Sequence, residues 1–221
     1  MAKSYVLPFV LYLAGTNLAA YVPGLYPLAY AAVVIVVGGA SWVLLRGRRI
    51  IVPHRNVGGA VAVGLAGIIM WIGLSELQLE QQIAAFLPEW LRPAARSSFN
   101  PFVELAHPLA AWSFIVVRVA GLAVLVPVVE ELFWRGFLLR WIISADWEQV
   151  PLGKYQTASF CLVTLLFTLA HPEWLAAACY CVLLNGLLYW KRNLWDCFVA
   201  HGVSNLALGV YVLVTGTWRL W

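Results

Sequence analysis

Seven apolar segments separated by short polar stretches make up most of the chain. They run near residues 5–22, 25–45, 57–76, 112–140, 157–172, 174–190 and 195–217. A helix needs about twenty apolar residues to cross the hydrocarbon core of a bilayer. Hydrophobic residues make up 63% of the 221 positions and charged residues 11%, a balance typical of membrane proteins rather than soluble domains. The pattern predicts an all-α, polytopic transmembrane helix bundle that forms a single integral membrane domain over residues 1–221.

The segment 78–111 interrupts this pattern. Its polar and proline residues include Glu80, Pro88, Arg92 and Pro101. This composition predicts an interfacial helix and loop rather than a crossing. We therefore divide the domain into amino-terminal helices with an interfacial segment, 1–111, and a carboxy-terminal core, 112–217. The fourth apolar segment is overlong and contains Pro127, which can kink or divide a helix, so a count of eight crossings stays open.

Lysine and arginine residues set the expected orientation, because they are enriched in the cytoplasmic loops of membrane proteins. With seven crossings, the side of the amino terminus carries Lys3, Arg46, Arg48, Arg49, Arg55, Arg140, Lys154, Lys191 and Arg192. The opposite side carries Arg92, Arg96 and Arg219. We expect a plasma-membrane protein, bacterial from its compact form, with a cytoplasmic amino terminus. The net charge of +4 does not indicate nucleic-acid binding, because no basic patch alternates with aromatic residues in a polar domain.

Four polar residues lie deep within the predicted spans. With a rise of ~1.5 Å per residue, Glu130 lies ~15 Å from the inner end of its span and His171 ~22 Å. The same rise places His201 at ~10 Å and Asn205 at ~16 Å. Ionisable residues at such depth are costly and usually functional. The sequence therefore predicts that side chains from three helices converge in a polar cavity near the bilayer centre.

The spacing of these residues suggests hydrolytic chemistry. Glu131 and Arg135 are four residues apart and can pair on one helix face, whereas Glu130 lies about 100° away and is left for another partner. A buried carboxylate beside a histidine can hold and deprotonate a water molecule. His201 and Asn205 are also four residues apart and can donate to one developing oxyanion. Together these parts can hydrolyse a peptide bond inside the membrane without a covalent intermediate.

Three motifs in this order resemble those of a known family. They are EExxxR at Glu130, Glu131 and Arg135, FxxxH from Phe167 to His171, and HxxxN from His201 to Asn205. Over residues 120–210 the chain resembles the CAAX prenyl endopeptidase and bacteriocin-processing family (CPBP, also called Abi) of glutamic-type intramembrane proteases. Each motif alone is weak, but all three on separate hydrophobic helices make a specific match.

The resemblance implies a role for each motif residue. Glu130 and His171 would activate the water, without a metal or another cofactor. His201 and Asn205 would form the oxyanion hole, and the second glutamate and the arginine of the first motif would support the site or contact the substrate. The partners implied are membrane lipid and a membrane-anchored peptide or protein: a prenylated carboxy-terminal tail, a leader peptide, or the anchor of a sorted surface protein.

Two other functions use the same residues. A zinc-dependent hydrolase could use Glu130, His171 and His201 as ligands with water in the fourth position, although no HExxH motif is present. A non-catalytic membrane scaffold or small-solute carrier would use the polar residues only to join helices. Arg118, inside an apolar run, must face a cavity or an anion. It could bind a substrate carboxylate or a lipid headgroup, or form an internal salt bridge.

Overall fold

The computed structural model describes residues 2–86, 88–89 and 98–220, and within these ranges it contains helices and no β-strand. The helices are α1 (Ala2–Ala20), α2 (Tyr26–Leu45), α3 (Gly58–Glu76), α4 (Leu79–Ala84), α5 (Pro101–Glu104), α6 (Pro108–Ile143), α7 (Thr157–Leu169), α8 (Trp174–Lys191) and α9 (Leu194–Thr215). Short 3₁₀ turns occur at Pro23–Leu25, Trp147–Gln149 and Trp218–Leu220.

Each predicted apolar segment coincides with one helix. Within the described residues, α2, α3, α6 and α9 are long and apolar enough to cross a membrane, and α7 is a shorter apolar helix. The all-helical membrane architecture is thus confirmed, while the count of seven or eight crossings and the orientation remain predictions. The predicted interfacial segment contains the short helices α4 and α5. Its residues 87 and 90–97, among them Arg92 and Arg96, lie outside the described residues.

Contacts between helix ends show that α3 and α9 run in the same direction and that α8 runs in the opposite direction. At one end, Arg219 after α9 pairs with Glu76 of α3 at 2.5 Å, and Glu80 accepts a hydrogen bond from the first turn of α8. At the other end, His54 before α3 lies 2.9 Å from Asp196 in the first turn of α9. We call these the Glu76 end and the Asp196 end of the bundle.

Helices α3 and α9 pack closely through small residues. A Cβ atom built on Gly64 would lie 2.5 Å from the carbonyl oxygen of Ala200, so only glycine permits this approach. Ser204 of α9 donates to the carbonyl oxygen of Gly64 at 2.8 Å. Small residues and hydroxyl hydrogen bonds are typical of helix contacts in membranes. This contact fixes the position of α9, which carries two of the predicted site residues.

Helix α6 is continuous but irregular, and Pro127 does not divide it. Two π-helical turns, Gly121–Leu125 and Leu132–Leu138, lie before and after the short α-helical stretch that contains Glu130 and Glu131. The first π turn leads into Pro127, which has no amide hydrogen to donate to the carbonyls of the preceding turn. π-helical turns are frequent at functional sites, and here they flank both glutamates.

Candidate active site

A cavity of about 160 Å³ lies inside the bundle. Its lining includes Glu130, His171, His201 and Asn205, together with Tyr12, Ile68, Trp71, Arg118, Leu122, Phe167, Glu173, Tyr180, Ser204 and Leu220. The structure therefore brings all four residues predicted to be catalytic to the walls of one cavity. The other two motif residues, Glu131 and Arg135, are fully buried beside it.

Glu130 presents an unused acceptor next to this cavity. Its side chain is 9% exposed, and its Oε2 atom has no hydrogen-bond partner among the described residues. Buried carboxylate oxygens normally have a partner. The helical offset explains the difference from Glu131, because consecutive residues on a helix point about 100° apart. Glu130 is thus available to a polar group inside the cavity, as the sequence predicts.

Glu131 joins two motifs in one buried network. Its Oε1 atom accepts a hydrogen bond from Nη1 of Arg135 at 3.2 Å, so the predicted pairing is confirmed. The same oxygen lies 2.8 Å from Nδ1 of His201 on α9. The spacing rules give no indication of this second contact, because the two residues are 70 positions apart. Glu131 therefore both neutralises Arg135 and orients a cavity-lining histidine.

The remaining donors of Arg135 are satisfied by α8. Its Nε atom donates to Oδ1 of Asn185 at 3.1 Å, and its Nη2 atom lies 3.4 Å from the carbonyl oxygen of Cys181. The guanidinium also lies over the ring of Phe167 on α7, 4.9 Å from the ring centroid. A fully buried arginine is tolerated only when it is paired and hydrogen-bonded. Arg135 thus connects α6, α7 and α8 behind the cavity.

His171 is held by the phenylalanine of its own motif. The two rings stack with their centroids 4.4 Å apart, and Nδ1 of His171 lies 2.7 Å from the carbonyl oxygen of Phe167. Because a carbonyl oxygen only accepts, Nδ1 carries the hydrogen in this bond, and Nε2 of the neutral ring bears the lone pair. The spacing of FxxxH follows from this four-residue contact at the end of α7.

Asn205 is oriented by the irregular turn of α6. Its Nδ2 atom donates to the carbonyl oxygen of Leu122 at 2.8 Å. In the first π turn the amide of Val126 donates to Gly121, and Pro127 has no hydrogen to offer Leu122. The carbonyl of Leu122 is therefore left for a side chain. Because an amide nitrogen carries two hydrogens, Asn205 keeps one N–H for a ligand.

Polar residues of the cavity wall that sequence reasoning missed include Tyr180 and Ser204. Tyr180 of α8 donates from its hydroxyl to Oγ of Ser204 at 2.8 Å, and its ring meets that of His201 edge-on at 5.7 Å. Ser204 lies three residues after His201 and shares its helix face, which is a signal that the sequence contains. No comparable pattern marks Tyr180. Together they support the wall behind His201.

The geometry does not favour the zinc ligand set. Among the residues that the structure describes, no three histidine, cysteine, aspartate or glutamate side chains lie in a group that could hold a metal ion. The proposed ligands Glu130, His171 and His201 line one cavity but do not form such a group. No step below is derived through a metal.

Comparison with known families agrees with the motifs. Residues 111–207 match the family model for Type II CAAX prenyl endopeptidase Rce1-like proteins. This region contains all three motifs and every candidate catalytic residue, so the family resemblance inferred from the motifs is confirmed. It points to a protease of the CAAX type in a membrane protein. Searches of curated proteins and of solved structures found no match.

Proposed function

We propose that the protein is a glutamic-type intramembrane endopeptidase that cuts a peptide bond of a membrane-anchored substrate. The observation that carries the proposal is the shared cavity. Glu130 of α6, His171 just after α7, and His201 and Asn205 of α9 line the same small cavity, which lies between helices long and apolar enough to cross a membrane. The Rce1-like match over residues 111–207 supports the same reaction class.

Glu130 is the general base of the proposed reaction. The open Oε2 atom of Glu130 can accept a proton from a water molecule, and the Nε2 lone pair of His171 can hold the same water by accepting its second hydrogen. The water oxygen then attacks the carbonyl carbon of the scissile peptide bond. General-base catalysis by a positioned side chain contributes roughly 10²- to 10⁴-fold to a rate.

Asn205 and His201 stabilise the oxyanion that this attack creates. Asn205 donates one N–H to Leu122 and has a second for the oxyanion. His201 can donate from Nε2 only when its ring carries two protons, because Nδ1 already donates to Glu131. The Glu131 carboxylate, which His201 shares with Arg135, favours that protonated ring. The negative charge of the oxyanion is stabilised because these donors are already fixed in place and need no reorganisation.

Collapse of the tetrahedral intermediate completes the reaction. The carbon–nitrogen bond breaks, and the proton held by Glu130 passes to the departing amine nitrogen. The other fragment leaves as a carboxylic acid that ionises in water. Glu130 is then again a carboxylate, so the cycle requires only substrate and water. We propose a substrate that carries a prenylated tail, a sorting anchor or a leader peptide.

The proposal is tested by comparing peptide termini in membranes from cells that express wild type or Glu130→Gln at equal levels. Mass spectrometry should detect new termini only with wild type. Cleavage by purified wild type should also survive EDTA, whereas a zinc enzyme would lose activity. Equal termini in both membranes, with both proteins folded, would contradict the proposal and favour a scaffold or carrier.

A further inference from the structure

We propose that Arg118 binds the carboxylate at the carboxy-terminal end of the peptide substrate, within about five residues of the bond that is cut. The proposal rests on the proposed function, because it assigns a substrate group to the same cavity. Arg118 lies outside all three motifs but lines the cavity that contains Glu130 and the other candidate catalytic residues.

The guanidinium of Arg118 is buried and held in a fixed position. Only 9% of the residue is exposed. Its Nη1 atom donates to the hydroxyl of Tyr26 at 2.5 Å, and its charge lies 5.1 Å from the ring centroid of Tyr30. Phe114 packs edge-on against both tyrosine rings. An arginine fixed in this way presents a preorganised fork, which suits a carboxylate better than a mobile surface side chain does.

The position of Arg118 along α6 gives the distance from the reacting bond. Arg118 and Glu130 are twelve residues apart on one continuous helix, which corresponds to ~18 Å at a rise of ~1.5 Å per residue. An extended peptide advances ~3.3 Å per residue, so ~18 Å is the length of about five residues. Both side chains reach into the cavity from the backbone, so this is an upper limit for the cleaved fragment.

The other charges in the cavity make this contact directional. Glu130 and Glu173 also line the cavity, so the space is not positive throughout. A carboxylate is favoured next to Arg118 and disfavoured beside the unpartnered oxygen of Glu130. A peptide whose free carboxylate lies at Arg118 therefore presents its amide bonds, rather than its charged end, to Glu130. Arg118 would thus select both the end of the substrate and its direction.

The test uses the full-length Glu130→Gln protein in phosphatidylcholine nanodiscs, which measures binding without cleavage. The probes are a fluorescent S-farnesylated octapeptide with a free carboxy terminus and the same peptide as its carboxamide. We expect the acid to bind about tenfold more tightly or better, as for a charge-assisted hydrogen bond. Arg118→Gln should remove this preference, Arg118→Lys should restore part of it, and Arg140→Gln, near the opposite end of α6, should leave it unchanged.

The outcomes separate this proposal from the proposed function. Equal binding of acid and amide by the parent protein would overturn it, as would a preference that persists in a folded Arg118→Gln protein. Loss of the preference when phosphatidic acid is added at constant total lipid would show that the site holds a lipid phosphate instead. A preference that depends on Arg118, together with no cleavage by wild type, would support the anion site and contradict the peptidase proposal.

Discussion

Nδ1 of His201 lies 2.8 Å from Oε1 of Glu131, although the two residues are 70 positions apart in the chain. Glu131 is fully buried and also accepts from Arg135. The contact means that the two glutamates of the EExxxR motif have different surroundings. One oxygen of each glutamate has no hydrogen-bond partner among the described residues, but Glu130 lines the cavity, whereas Glu131 is fully buried with its other oxygen bound to Arg135 and His201. The first two predictions follow from this difference.

Glu131→Gln should destabilise the protein, because it leaves the buried charge of Arg135 uncompensated. Removal of one partner of a buried ion pair costs about 3–5 kcal/mol. Thermal unfolding of the purified protein, followed by tryptophan fluorescence, should show a large drop in melting temperature. In the double variant Glu131→Gln with Arg135→Gln, the loss should be smaller than the sum of the two single losses. Additive losses would show that the pair is not coupled.

Glu130→Gln should lower cleavage activity and leave stability unchanged. No ion pair is lost, so we expect a melting temperature close to that of wild type. Glutamine keeps the volume of the side chain but cannot accept the proton of water, and cleavage should fall by roughly 10²- to 10⁴-fold. Activity per folded molecule is the measurement that distinguishes the two variants. A Glu130→Gln protein that retains wild-type turnover would refute the assignment of the base.

The close contact of α3 with α9 gives a third prediction. Gly64→Ala would place Cβ 2.5 Å from the backbone oxygen of Ala200, and overpacking of this kind costs about 1–3 kcal/mol. Gly73→Ala is the matched control, since it lies on the same helix with nothing within 4 Å of the new Cβ. Gly64→Ala should melt earlier than wild type and Gly73→Ala should not. Equal melting of the two variants would show that the helices have room to separate.

Much of the helical layout can be predicted from hydrophobicity alone. Each predicted apolar segment coincides with a helix because long apolar runs in a membrane have few other ways to satisfy their backbone groups. The pairing of Glu131 with Arg135 follows from local helix spacing. The contact of Glu131 with His201 depends on how α6 meets α9, and no local spacing rule contains that information. The same is true of Tyr180, whose role comes only from its position on α8.

The π turns of α6 could be predicted only in part. Pro127 predicts a kink in the fourth apolar helix or its division into two. The chain instead stays helical with a π turn before the proline, because Asn205 of α9 takes up the carbonyl of Leu122. That compensation comes from another helix, 83 residues away. The sequence near Pro127 therefore predicts that the helix is irregular there, but it does not predict that a side chain of α9 satisfies the carbonyl of Leu122.

The hydrogen bond from Asn205 to the carbonyl of Leu122, next to Pro127, gives a fourth prediction. Pro127→Ala supplies an amide hydrogen to the preceding turn, which can compete with Asn205 for the exposed carbonyl. We expect Pro127→Ala to keep or raise the melting temperature and to lower kcat, because Asn205 loses its fixed orientation. The Asn205→Asp variant has no N–H at this position and should also lose kcat. Unchanged kcat in Pro127→Ala would show that the irregular turn does not orient Asn205.

The contact of Phe167 with both Arg135 and His171 leads to the last prediction. Its ring stacks on the imidazole of His171 and lies under the charge of Arg135. Phe167→Leu should therefore loosen His171 while leaving the cavity residues in place. A displacement of about 1 Å can cost about 100-fold in rate, so we expect kcat to fall by about tenfold to a hundredfold with KM little changed. Phe167→Tyr, which keeps the ring, should recover most of the rate.

Nitrogen NMR of selectively labelled histidine provides the readout that a purely structural role would not change. In wild type the neutral ring of His171 should be protonated at Nδ1, because that atom donates to the carbonyl oxygen of Phe167. Phe167→Leu should add signal from the Nε2-protonated tautomer, because the ring is no longer held against that carbonyl. A single Nδ1-protonated form in both proteins, together with a lost rate, would place the effect of Phe167 elsewhere, in the packing around Arg135.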